Sequence, residues 1–310
     1  MQGLVCSNIS KRYETGKVAL NKLSMSVESK GIFALIGRNG AGKTTLIRIL
    51  ATQLSPTSGA ASLNGVDIIK DPHGIRERIA IVPQEARATP WLTPHETIFS
   101  YLLWRGFDTG EAHERADRAI KRLAIEEYAD KSNRFLSGGI KRKVLVATVI
   151  ASEAELIFLD EPTTGLDPIS RNDLWNVLNE LKKDRFIFLT THYLEEAERL
   201  ADNIGIIENG KLLGIGTLEE LRKKVKYPYS IKMLDAGKKA AVRPKSGKVI
   251  RGLDGNSQIL TSQKEAYAIS DQFIKKGIKF SMNPISLDDI FYYLVKKPIE
   301  NGEEHEEEYW

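Results

Sequence analysis

The stretch GRNGAGKTT, Gly37 to Thr45, lies between a short apolar run, GIFALIG, and the helically spaced TTLIRILATQL. Its spacing is G-x-x-x-x-G-K-[ST], and a strand before it and a helix after it are the context in which that pattern acts. Gly37, Gly40 and Gly42, with Asn39 and Ala41 between them, let backbone N–H groups close around phosphate oxygens. The new helix offers its positive end to the same anion. Lys43 can reach terminal phosphates, Thr44 can hold Mg2+ through its hydroxyl, and Thr45 shares that helix start. The competing reading is a glycine-rich turn with a chance lysine.

A second run, LIFLDEP, ends an apolar strand in two carboxylates. Asp160 can help hold Mg2+, directly or through water, and Glu161 is placed to orient or deprotonate water beside a γ-phosphate. A strand that ends in acidic residues is common; beside the phosphate loop it becomes the expected second half of a nucleotide site. Gln84, in IVPQE, follows another strand and could accept Mg2+ or water, although a lone glutamine is usually a surface residue. His192, in TTHYLEE, stands between a strand and a helix. A histidine there is commonly packed or capping; in this company it could contact the γ-phosphate.

RFLSGGIKRK holds a second helix start with bare backbone donors, at Ser137, Gly138 and Gly139. It is another anion seat. The first loop already wraps one nucleotide, so the second is expected to serve a nucleotide held by another chain. A glycine-rich cap without a ligand is the alternative.

The elements that must position these residues follow from periodicity. Apolar runs at 31–37, 156–160 and 186–191 read as buried strands, with helical stretches between them, which implies a mostly parallel sheet covered by helices. Residues 93 to about 145 read as a helical subdomain, opened by a capping box in TPHE. RKKVKYPYS marks a boundary, so residues 1–224 are expected to form one domain and 225–299 a small α+β domain. The end, 300–310, reads as an acidic solvated tail. The chain has 310 residues, 42% of them hydrophobic and 28% charged, and a formal charge of +4, too slight to argue for nucleic acid. One cysteine, Cys6, allows no internal disulfide, fits a reducing cytosol, and reads as a packed strand residue. No window has the length of a spanning helix, and the first residues are not expected to be a signal peptide.

Taken in order, GRNGAGKTT, VPQE, LSGGIKRK, LIFLDEPTTGLDP and TTHYLEEAERLAD resemble the motif set of ATP-binding cassette proteins over about residues 3–222. The resemblance implies an α/β P-loop NTPase cassette. It has a mostly parallel core sheet, an antiparallel β part and a helical subdomain, here with a small C-terminal α+β domain added. It implies an ATPase with ATP and Mg2+ as cofactors, in which Tyr13 stacks on adenine and Asp167, in GLDP, meets the partner cassette. It also implies that two cassettes sandwich two ATP molecules, each between one chain's phosphate loop and the other's LSGG, and drive integral-membrane permease subunits. SGGIKRK and GTLEEL are similar to cassettes of the daunorubicin and multidrug exporter type, whose permeases are separate chains; the chain would then sit on the cytoplasmic face of the cell membrane. A soluble cassette acting on ribosomes or DNA is the rival. Ribosomal members resemble two fused cassettes and DNA-repair members carry a long coiled-coil insertion; neither is seen, and no direct nucleic acid is expected. An importer subunit is a third reading. The family usually has glutamine where this chain has Ile140, and arginine is common at Lys143.

Overall fold

The computed structural model describes residues 3–234, 244–251 and 257–295. The acidic tail at 300–310 lies outside them. The chain forms two compact units, Met1–Leu212 and Leu213–Trp310.

The first unit opens with β1 (Gly3–Arg12) and β2 (Val18–Glu28), then β3 (Ile32–Ile36) and α1 (Lys43–Leu50). There follow β4 (Ser58–Leu63), β5 (Val66–Asp67), α2 (Pro72–Arg76) and β6 (Ile79–Val82). Next come α3 (Pro94–Trp104), α4 (Thr109–Arg122), α5 (Gly138–Ala151), β7 (Leu156–Asp160), α6 (Pro168–Leu181), β8 (Phe186–Thr191), α7 (Leu194–Leu200), β9 (Asn203–Glu208) and β10 (Lys211–Gly216), on which the division between units falls.

These strands make two sheets. The first is antiparallel, in the order β2-β1-β4-β5. From Leu23 to Glu28, β2 alternates buried and exposed residues, as a sheet with one wet face requires. The second has the order β10-β9-β3-β8-β7-β6, and β9, β3, β8, β7 and β6 pair in parallel. Every residue of β3, β7 and β8 is buried, so their apolar runs do not alternate. Phe33, Phe188 and Phe158 sit opposite one another on these three strands, with ring centroids 5.0 and 5.7 Å apart. Each buries roughly 1.5–3 kcal/mol of side chain. They hold the register in which Asp160 faces Thr190 and Ile36 faces Thr191. The carboxyl ends of the three strands therefore share one edge, where ligands bind in open α/β sheets.

Helices α3, α4 and α5 pack on one another. The capping box expected at Thr93 and Glu96 is present, with Pro94 in the first turn. On α4 the inner stripe is Ala112, Ala116, Ala119 and Ile120, and its three alanines are small enough for close approach. Cys6 is buried in β1 and burial pushes its thiol up to about 12, an inert packed group as expected. Among the described residues, no helix is long and apolar enough to cross a membrane.

The second unit contains α8 (Leu218–Lys224), β11 (Tyr229–Met233), β12 (Lys248–Arg251), β13 (Ser257–Thr261), α9 (Gln263–Lys275), β14 (Phe280–Pro284) and α10 (Leu287–Val295). Its sheet is antiparallel, β12-β13-β11-β14. Ile231, Met233, Ile259, Ile269 and Phe273 form its core under α9. This unit begins before α8, not after Lys224 as the basic stretch suggests. The reason is packing: α8 lies against α10, and Arg222 Nε donates to Ile285 O at 3.0 Å. β14 carries no clear alternation in sequence and emerges only through its pairing with β11.

Candidate functional site

The loop from Gly37 to Gly42 leaves β3 buried at Gly37 and reaches the surface at Asn39 and Gly40. Gly42 caps α1 with φ of 111°, where a Cβ would stand 2.6 Å from Ala19 O; one at Gly37 would stand 2.4 Å from Ile207 O. Glycine is required at both, for conformation at the first and for space at each. Lys43 is buried. Its Nζ donates to Gly37 O at 2.9 Å and Arg38 O at 3.3 Å, and lies 3.4 Å from Glu161 Oε1. Burial lowers its pKa, and the carboxylates of Glu161 and Asp160 offset part of that shift. Tyr13 OH lies 3.2 Å from Thr45 Oγ1, which brings the tyrosine to the same helix start.

Asp160 ends β7 buried, hydrogen-bonded to the hydroxyls of Thr190 and Thr44. Burial raises its pKa, and those hydroxyls hold it down in part. Glu161 follows at φ of 50°, a left-handed conformation that costs a non-glycine residue roughly 1–2 kcal/mol. Thr190 holds it there: Glu161 N–H donates to Thr190 O at 3.1 Å and Thr190 Oγ1 at 3.2 Å. Its carboxylate is surrounded. Gln84 Nε2 donates to Oε2 at 3.2 Å and Thr164 Oγ1 donates at 3.4 Å. His192 Nδ1 lies 3.1 Å from Oε2, outside hydrogen-bonding angles. Burial pushes the Glu161 carboxyl up, but His192 and Lys43 outweigh it and the net shift is downward, so the group is an ionised acceptor at neutral pH.

The structure therefore brings Tyr13, the Gly37–Thr45 loop, Gln84, Asp160, Glu161 and His192 to one edge. Thr44, Asp160 and Gln84 offer hydroxyl, carboxylate and amide oxygens, a hard donor set that fits Mg2+ held together with nucleotide phosphates. Among the described residues no cluster of three or more His, Cys, Asp or Glu could cage a metal without such help.

Ser137, Gly138, Gly139 and Asp167 form a separate surface. Ser137 and Gly138 are exposed; Ser137 Oγ caps α5 by accepting from Ile140 N at 3.3 Å. Asp167 caps α6, with Oδ1 accepting from Ile169 N and Ser170 N at 3.0 Å each. A Cβ on Gly139 would meet Leu166 at 3.4 Å, so the two loops adjoin.

Two neighbouring basic residues after Gly139 have different surroundings. Lys143 does not face the nucleotide edge; it is buried, donating to Asp173 Oδ2 at 3.0 Å and Leu123 O at 3.4 Å. Arg142, not singled out from sequence, reaches that edge and donates to the carbonyls of Asp160 and Glu161 at 2.5 and 3.0 Å. Spacing along α5 does not separate the two, because Lys143, Ala147 and Ile150 are buried as Arg142, Val146 and Val149 are. Thr190 was likewise hidden in an apolar strand.

The chain is similar to known proteins in sequence and in fold. Residues 20–164 match the family model described as ABC transporter. Over 217 residues, 70% of this chain, the sequence is 41% identical to ABC transporter A family member 7 of Dictyostelium discoideum, spanning 26% of that protein. It is 37% identical over 220 residues to the daunorubicin/doxorubicin resistance ATP-binding protein DrrA of Streptomyces peucetius, covering 71% of this chain and 66% of that one. The chain thus spans about a quarter of the first relative and just under two thirds of the second. A solved structure described as the ATP binding subunit of an ABC transporter superposes with a TM-score of 0.65 at 31% identity, covering 71% of this chain and 92% of that one.

Proposed function

This chain belongs to the ATP-binding cassette transporter family, and from that premise we propose that it is the ATP-hydrolysing subunit of an exporter. In this reading ATP lies with its phosphates on Gly37–Thr45 and its adenine on Tyr13. Lys43 binds the β- and γ-phosphates. Mg2+, held by Thr44, Asp160 and Gln84, would neutralise charge on the phosphates. Glu161 accepts a proton from the attacking water, and His192 and Gln84 fix its carboxylate and the γ-phosphate end of the site. A second cassette supplies Ser137, Gly138, Gly139 and Asp167 across the nucleotide, and separate integral-membrane subunits carry the cargo from the cytoplasmic side.

The observation that carries this reading is the buried Glu161 carboxylate, contacted by Gln84, Lys43 and His192 one residue beyond Asp160. Similarity to a daunorubicin/doxorubicin resistance protein favours export over import. Magnesium-dependent ATP turnover by the purified chain, abolished in Lys43→Ala together with ATP binding, tests the site. Substrate efflux from vesicles holding the chain and its permease tests the direction; uptake in place of efflux would overturn the exporter assignment.

A further inference from the structure

We propose that Arg142 is a positioning residue that ties the helix behind Ser137 to the backbone of Glu161 and Gln84, and so aims the Glu161 carboxylate. The inference rests on the reading of Glu161 as the base. Arg142 stands in the second turn of α5 and is buried. Its guanidinium donates to five backbone carbonyls in two segments. On the loop after β6 these are Pro83 O at 3.1 Å and Gln84 O at 3.5 Å. At the end of β7 and on the loop after it they are Asp160 O at 2.5 Å, Glu161 O at 3.0 Å and Pro162 O at 3.3 Å.

Both loops leave the sheet where ladder partners run out, so these carbonyls need donors from elsewhere. A planar fork with five N–H groups meets that need from one position; an ammonium has three donors and no fixed plane. The carboxylates whose charge acts on Arg142 are Asp160, Glu161 and Glu196. Their charge helps keep the guanidinium in place although burial disfavours it. Glu161 holds a left-handed conformation that its own preferences oppose. Thr190 grips its N–H and Arg142 its carbonyl. Both ends of this residue's backbone are thus fixed, and one of the two grips comes from the helix that Ser137 caps. Displacement of α5 by a partner surface would pass through this guanidinium to the aim of the Glu161 side chain and to Gln84, which itself donates to Glu161.

The test is single-turnover ATP hydrolysis by the full chain with magnesium, in Arg142→Lys and Arg142→Met, each alone and combined with Glu161→Gln. Turnover is normalised to sites titrated with a fluorescent ATP analogue, so that a partly unfolded preparation does not mimic a loss. Small misplacements of a reacting group cost up to about a hundredfold, so Arg142→Lys should lower turnover by about tenfold to a hundredfold with unchanged ATP affinity. In the Glu161→Gln background the same change should cost less than about twofold, because the group it aims is gone. Equal losses in both backgrounds, or a loss of ATP affinity in place of turnover, would overturn the positioning role while leaving Glu161 as the base. Unchanged turnover in Glu161→Gln alone would overturn both.

Discussion

The chain has two glycine-marked helix starts of similar local chemistry, and they are finished in opposite ways. At α1 the seat is built inward. Gly37 and Gly42 are backed by the carbonyls of Ile207 and Ala19, and Lys43 is buried against Glu161. At α5 the seat is open. Ser137 and Gly138 are exposed, and a Cβ on Gly138 would meet nothing within 4 Å. Nearby in sequence, Phe135 and Ile169 are 80% and 76% exposed, beside Ser137 and Asp167. The difference teaches that a helix N-terminus becomes half a site or a whole one according to what the fold packs behind it.

The change expected to have the largest effect strikes the inner seat. Glu161→Gln should lower ATP turnover by roughly 10²–10⁴ while ATP affinity is kept, read by steady-state assays beside nucleotide titrations. Turnover close to the parent would break the comparison at its catalytic end.

Ser137→Arg strikes the open seat. It removes the cap hydroxyl and sets a long side chain on the surface offered to a second cassette, a clash worth about 1–3 kcal/mol. Binding of ATP by the monomer should be untouched, and ATP-driven dimerisation should fall by about tenfold or more, seen by size-exclusion chromatography in the Glu161→Gln background. Loss of monomer binding with dimerisation intact would mean that LSGG serves its own chain's nucleotide.

Two alanines sharpen the contrast. Gly42→Ala forces φ of 111° on an L-residue and overlaps Ala19 O, so strain of about 1–2 kcal/mol should weaken ATP binding about tenfold. Gly138→Ala has room and no positive φ, and should leave monomer affinity unchanged. Ile140→Gln should tighten the ATP-bound dimer a few-fold, since one added hydrogen bond is worth roughly 0.5–1.5 kcal/mol net.

The smallest expected effect lies behind the inner seat. Glu196 is fully buried, accepts from Trp175 Nε1 at 3.2 Å, and is pushed up by burial from its ordinary value of 4.5. A raised carboxyl is stabilising in full below its unfolded value, and that contribution is lost as pH rises through the folded one. Glu196→Gln should therefore flatten the fall in melting temperature as pH rises above 4.5. A parallel fall in parent and variant would show that another group governs it.

Much of this was legible along the chain. Gly37–Thr45 and LIFLDE announce themselves because a phosphate seat and a carboxylate pair need particular residues at fixed spacing. β3, β7 and β8 show as unbroken apolar runs because both of their faces are covered, and Thr93 and Glu96 reveal a helix start because capping is local. What depended on distant partners was not legible. That Arg142 faces the nucleotide edge while Lys143 turns to Asp173 was decided by how α5 packs. That Thr190 grips Glu161 was decided by strand register, and that α8 joins the second unit by its contact with α10. Local chemistry is written in neighbours along the sequence; which helix start is closed and which is left open is written in the packing, because only the fold sets what stands behind each one.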